Sequence, residues 1–201
     1  MCIRDRFEAA KQWTKDWESN PITIAKDIAR TGATEEELAH SLERQHKAQY
    51  QAKDRHSSTA ATYDPESHTI VDNPQFQGAE GYSKEGVLAH EFAHGGRDLE
   101  RGLHAQEILG RVGQGLDKEF ESYVNRPHEL YGFLQQLRHE AGLKPGDDLS
   151  EKQIKALKKK GSKNPLLNAD VKKLIEANKK VAYQEPRSLE SLYNNRQTGI
   201  T

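Results

Sequence analysis

The apolar positions of this chain fall into short periodic stretches separated by long polar ones. Trp13 and Trp17 stand four apart, on one face of a helix that Asn20-Pro21 ends. Thr34 followed by Glu37 makes a capping box, and Leu38 and Leu42 then stand at i and i+4. The pattern predicts one long polar helix from Glu35 to about His56, with a thin apolar stripe for packing. At residue 61 the character changes. Ala61-Thr62-Tyr63 and His68-Thr69-Ile70-Val71 are β-prone runs around the turn-forming Asp64-Pro65-Glu66-Ser67, a hairpin that Asp72-Asn73-Pro74 closes. Residues 78–82 read as loop, and Ser83 is placed to cap a helix from Lys84 to His94. Pro127 and Gly142 bound a further helix, whose buried face is Leu130, Phe133, Leu134 and Leu137. After a turn at Lys144-Pro145-Gly146-Asp147, short helices are expected near 150–160 and 168–180. The sum is an α+β chain, mostly helical, with a small antiparallel or mixed sheet.

Composition sharpens this picture. Leu, Ile, Val and Phe make up only about 19% of the residues, near the level at which disorder sets in, but disorder also calls for a large net charge. Here 30 basic and 31 acidic residues nearly cancel. The chain therefore reads as a small core beneath a charged helical surface. No run approaches the roughly 18 apolar residues of a membrane-spanning helix, so no membrane partner is expected. One cysteine excludes an internal disulfide framework and fits a reducing compartment. No secretory h-region is visible as written. However, Met1-Cys2-Ile3-Arg4-Asp5-Arg6 resembles a start shared by many unrelated assembled environmental sequences, a translated adapter, so residues 1–6 carry no argument.

Residues 151–180 hold ten lysines against Glu151, Asp170 and Glu176, a net of +7, so the remainder of a chain of net −1 carries −8. The lysines lack interleaved aromatics, and a solvated face is expected rather than a nucleic-acid interface.

The chemistry concentrates in Val87-Leu88-Ala89-His90-Glu91-Phe92-Ala93-His94. Two histidines at i and i+4 lie one turn apart on one helix face, where both imidazoles can reach a single ion. Glu91 points off that face, too far to ligate but near enough to hydrogen-bond a water on the ion, which is the logic of the H-E-x-x-H metallopeptidase motif. A shuffled chain of this composition would hold about 0.04 copies of the pattern. The neighbouring Val87, Leu88, Ala89, Phe92 and Ala93 are apolar or small, and burying two unpaired histidines among them would be costly.

Zinc needs a third protein ligand and keeps a position for water. The metzincin extension would place glycine and histidine where Arg97 and Glu100 stand, so that class is excluded, and His104 lies too far along. Gly95-Gly96 is expected to end the helix. Glu119, Glu121 and Glu129 remain, and Glu119 has a spacing similar to that of thermolysin-like enzymes. Pro127 at the first helical position puts Glu129 at the third, where the helix dipole favours a carboxylate whether or not it ligates.

Taken with Tyr123-Val124-Asn125-Arg126-Pro127-His128-Glu129-Leu130 and the stretch from Gln135 to Gly146, the motif resembles zincin peptidases with a glutamate third ligand. In particular, it is similar to small metallopeptidases found in phages and mobile elements. The resemblance spans roughly residues 60–150. It implies a zincin-like catalytic core over 61–145, between an N-terminal helical segment (1–60) and a lysine-rich helical extension (146–201). It also implies Zn2+ held by His90, His94 and Glu129, with Glu91 as general base, and a peptide or protein substrate; with no signal peptide as written, a cytoplasmic or virion-associated location is expected. Tyr123, Tyr131 and His128 are the candidates to stabilise the oxyanion, and the strand at 69–72 is a candidate edge for an extended peptide. The alternative is a zincin-like structural or interaction protein, for example a virion component, without turnover. His40, His46, His56, His68 and His139 lack ligand spacing and are expected on the surface.

Overall fold

The computed structural model describes residues 3–18, 34–54, 59–76, 81–96 and 99–182. In chain order these form α1 (Ile3–Glu18), α2 (Glu35–His46), β1 (Gln49–Ala52), β2 (Ala61–Asp64), β3 (Thr69–Asp72), α3 (Lys84–His94), α4 (Leu99–Leu109), α5 (Lys118–Val124), α6 (Pro127–Glu140), α7 (Glu151–Lys159), a 3-10 turn (Pro165–Asn168) and α8 (Val171–Ala182). The chain is thus α+β and mostly helical, with a three-stranded mixed sheet. The Asn20-Pro21 helix end lies outside the described residues, as do the side chains of Trp17, Glu37, Leu38 and Leu42.

The sheet runs β1-β3-β2, with β1 parallel and β2 antiparallel to β3. The β2–β3 hairpin falls where the turn residues place it, with the Asp64 carboxylate accepting from the Glu66 amide and the Ser67 hydroxyl. The single long helix expected from Glu35 to His56 is corrected. It ends at His46, and Gln49 to Ala52 pair with Thr69 to Asp72. No local breaker dictates this. Ala48 is buried, and the Tyr50 ring lies tilted against Phe7, 4.8 Å away, while its hydroxyl donates to Asp72, so non-local contacts override helix propensity. A second correction concerns the peptide-binding edge: β3 is the central strand, flanked on both sides, and the edges are β1 and β2.

α3 is the axis of the molecule. Ser83 caps it, its hydroxyl accepting from the Gly86 amide at 2.9 Å, and Gly95 ends it. Nearly its whole surface is buried, as befits a helix clamped on both sides. Leu88 and Phe92 face a small core with Phe7, Ala10, Ala48, Ala61 and Ile70, between α1 and the sheet. Ala93 joins the larger core, in which Leu130, Leu134 and Leu137 of α6 meet Leu149, Ile154, Leu157, Leu166 and Leu174. At its N-terminus Lys84, only 2% exposed, pairs with the fully buried Asp72 and donates to the Asn73 and Ala60 carbonyls, fastening α3 to the sheet. On the far side, Arg138 of α6 is fully buried and donates to Asn178 and to the Asp147 carbonyl, fastening α6 to α8. Ten lysines from Lys152 to Lys180 are all exposed, and Lys155 and Lys180 pair with Glu151 and Glu176 one turn away.

Candidate metal centre

α3 and α6 cross closely, and the residues between them set the site. A Cβ on Gly132 would lie 2.8 Å from the His90 imidazole, so only glycine lets α6 pass over that ring. At Gly86, one turn before His90, a Cβ would crowd the Ser83 hydroxyl at 2.6 Å and stand 3.2–3.3 Å from Gln136 and Glu140 of α6. The start of α6 is placed by two further contacts. A Cβ on Gly102 of α4 would overlap the Pro127 carbonyl. The Asn125 side chain accepts from the Val112 amide and donates to the Val112 and Glu121 carbonyls at 2.6–2.8 Å.

This arrangement carries Glu129 to the two histidines. Its Oε2 lies 3.0 Å from His90 Nε2 and 3.7 Å from His94 Nε2, and one ligand atom from each of the three residues falls within a 4.8 Å group. Tetrahedral ligands at zinc bond lengths of ~2.0–2.1 Å stand about 3.3 Å apart. The two measured separations bracket that value, and two imidazole nitrogens with a carboxylate oxygen are a donor set suited to a divalent metal. The three side chains are fit to hold one ion. Burial alone would raise the Glu129 carboxyl, but hydrogen bonds and charge from His90 and His94 outweigh it and hold the carboxyl well below the usual carboxylate range. His90 Nδ1 is buried without a hydrogen-bond partner among the described residues. Its ring is oriented instead by packing, against Gly132 and edge-on to Phe133 at 4.6 Å.

Glu91 is buried and lies outside the ligand group. The other two acidic candidates are elsewhere. Glu121 is engaged by Arg111, and Glu119 is exposed on α5. Among the oxyanion candidates, Tyr131 is 1% exposed and accepts from Gln135, inside the core. Tyr123 reaches the site. Burial, then the charge of Glu129 and a hydrogen bond donated to it, then the charge of Glu91, push its phenol far above the ordinary tyrosine value. His128 stands at the rim, 47% exposed, 3.4 Å from Glu129 Oε1 and edge-on to His94; burial lowers its pKa.

The remaining described histidines divide. His40 is exposed, and His104 faces Glu107 on α4. His68 and His139, expected on the surface, are half-buried. His68 contacts the Tyr63 hydroxyl and the Arg44 carbonyl, and His139 lies under Trp13. Gly132 and Phe133 were not anticipated at the site. A glycine inside an otherwise strong helix was the available signal. A comparison with protein-family models, with curated proteins and with solved structures found no match.

Proposed function

We propose that the chain is a zinc-dependent peptidase with a zincin-like fold. The observation that supports it is the convergence of His90, His94 and Glu129 on one point, with Glu91 buried beside them. Zinc is the metal of choice because two imidazoles and one carboxylate leave a position for water, and a bound zinc lowers the pKa of that water toward about 7 and polarises a carbonyl. The small sheet packed against the motif-bearing helix agrees with such a fold.

The protein's own groups then have separate tasks. Glu91 takes the proton of the attacking water and returns it to the leaving amine. Tyr123, with its phenol held protonated, turns its one donor from Glu129 to the oxyanion that develops on the scissile carbonyl. Gly132 and Phe133 hold the His90 ring in register.

The test is a proteome-derived peptide library incubated with the zinc-loaded protein, beside Glu91→Gln and Tyr123→Phe. Zinc retained in all three, cleavage by the wild type, loss of cleavage in Glu91→Gln and a fall of about 10–1000-fold in Tyr123→Phe are expected. Equal cleavage by Glu91→Gln would sink the mechanism. Zinc without cleavage of any peptide would favour a binding protein.

A further inference from the structure

Beside the metal centre lies an open cleft of about 400 Å3, lined by Asp117, Glu119, Phe120, Tyr123 and Arg126. It is joined to the centre by aromatic rings. Phe120 stacks on Tyr123, and Tyr123 lies edge-on to Phe133, which in turn abuts His90. The Arg126 guanidinium stands over the Tyr123 ring, 5.6 Å from its centroid. Among the described residues no carboxylate pairs with it, whereas nearby Arg111 is engaged by Glu121. Stacking on a ring preorganises a guanidinium, so less freedom is lost when a planar anion meets it.

The cleft carries both signs of charge. Asp117 is spent on capping α5, its carboxylate accepting from the Phe120 amide. Glu119 lines the same cleft, and no ion pair joins it to Arg126 among the described residues. Among the described residues, Arg126 is a cation near enough to the centre to act on both Tyr123 and His128. A divalent ion would offset the charges of Glu91 and Glu129, so the Arg126 guanidinium would meet an arriving substrate in a cleft that the Asp117 and Glu119 carboxylates also line.

We propose that Arg126 is a specificity residue that pairs with a carboxylate of the peptide substrate borne close to the scissile bond. The inference rests on the peptidase reading and deepens it by naming a substrate class. An acidic side chain and a free C-terminal carboxylate present the same chemistry, and the experiment separates them.

The probes are hydroxamates, which seat on zinc without being cleaved. N-hydroxysuccinamic acid, with one carboxylate, is compared by calorimetry with its neutral amide, N-hydroxysuccinamide, on the zinc-loaded full chain. Two longer probes carry either an aspartate with an amidated end or an alanine with a free end. Zinc content is measured in parallel. The wild type should bind the carboxylate probe about five- to tenfold more tightly than the amide. Arg126→Gln should abolish that preference and Arg126→Glu should reverse it, with zinc content unchanged. Whichever longer probe keeps the preference identifies the source of the carboxylate. Equal binding of acid and amide, or a preference that survives Arg126→Gln, overturns the proposal and leaves the metal site standing. A chain that takes up no zinc overturns both, and the metal analysis shows which has failed.

Discussion

Replacing Gly132 by alanine sets two effects of opposite sign against each other at the metal centre. Gly132 lies inside α6, where an alanine by propensity alone would stabilise the helix by about 0.8–1 kcal/mol. The added Cβ, however, would fall 2.8 Å from two atoms of the His90 ring and 2.9 Å from a third. Carbon contacts are comfortable near ~3.5 Å or beyond, so the ring or the helix must shift by roughly 0.7 Å. His90 is 4% exposed and flanked by Phe133, which leaves it nowhere to go cheaply. Overpacking of this kind costs about 1–3 kcal/mol, more than the propensity gain, and the net is a destabilisation on the order of 1 kcal/mol. A ligand displaced by roughly 0.7 Å also exceeds the ~0.2 Å tolerance of a metal site. Zinc affinity should fall about 10–100-fold, the scale seen when the support of a ligand is lost. The assays are urea unfolding of the metal-free protein and zinc titration against a competing chelator. A variant more stable than the wild type, with unchanged zinc affinity, would refute the argument that α6 is held open at Gly132 for the His90 ring.

Other parts of the account are open to equally direct tests. Lys84→Met leaves Asp72 buried without its cation and should cost about 3–5 kcal/mol in urea unfolding; a loss below ~1 kcal/mol would show that the pair does not hold α3 to the sheet. Glu140 is half-buried, and that desolvation raises its carboxyl against the hydrogen bonds from Ser162 and Gln136. A carboxyl raised in the folded state binds its proton more tightly there than in the unfolded chain. Its contribution is therefore full below the ordinary glutamate value and is lost as pH rises through the raised one. The urea midpoint should fall across that window, and Glu140→Gln should flatten the fall; identical pH profiles would contradict the assignment.

The elements that the sequence made legible are those with local chemistry. The hairpin carried its turn residues, α3 its Ser83 cap, and α6 its Pro127 start and buried leucine face. β1 was not legible, because Gln49 to Ala52 become a strand only through pairing with β3, which lies 20 residues further on. The same pairing makes β3 central and removes the edge that the isolated hairpin seemed to offer. At the site, the spacing of His90 and His94 placed two side chains on one face, but spacing could not choose among Glu119, Glu121 and Glu129. That choice rests on how α6 crosses α3, which Gly132 permits, and on where α6 begins, which Gly102 permits, residues without side chains to give them away. Arg126 was not legible for a related reason: that no carboxylate pairs with it among the described residues is a fact of packing, not of sequence.

The measurement that bears most directly on the account is the zinc content of the purified chain by elemental mass spectrometry, wild type beside Glu129→Ala. One zinc per wild-type chain and much weaker retention in the variant is the predicted result, since the variant keeps His90 and His94 but loses the oxygen that closes the group. Equal retention would mean that Glu129 is not the third ligand. A wild-type chain that takes up no zinc after reconstitution would contradict the central claim and leave the His90–His94–Glu129 cluster as a hydrogen-bonded brace between α3 and α6.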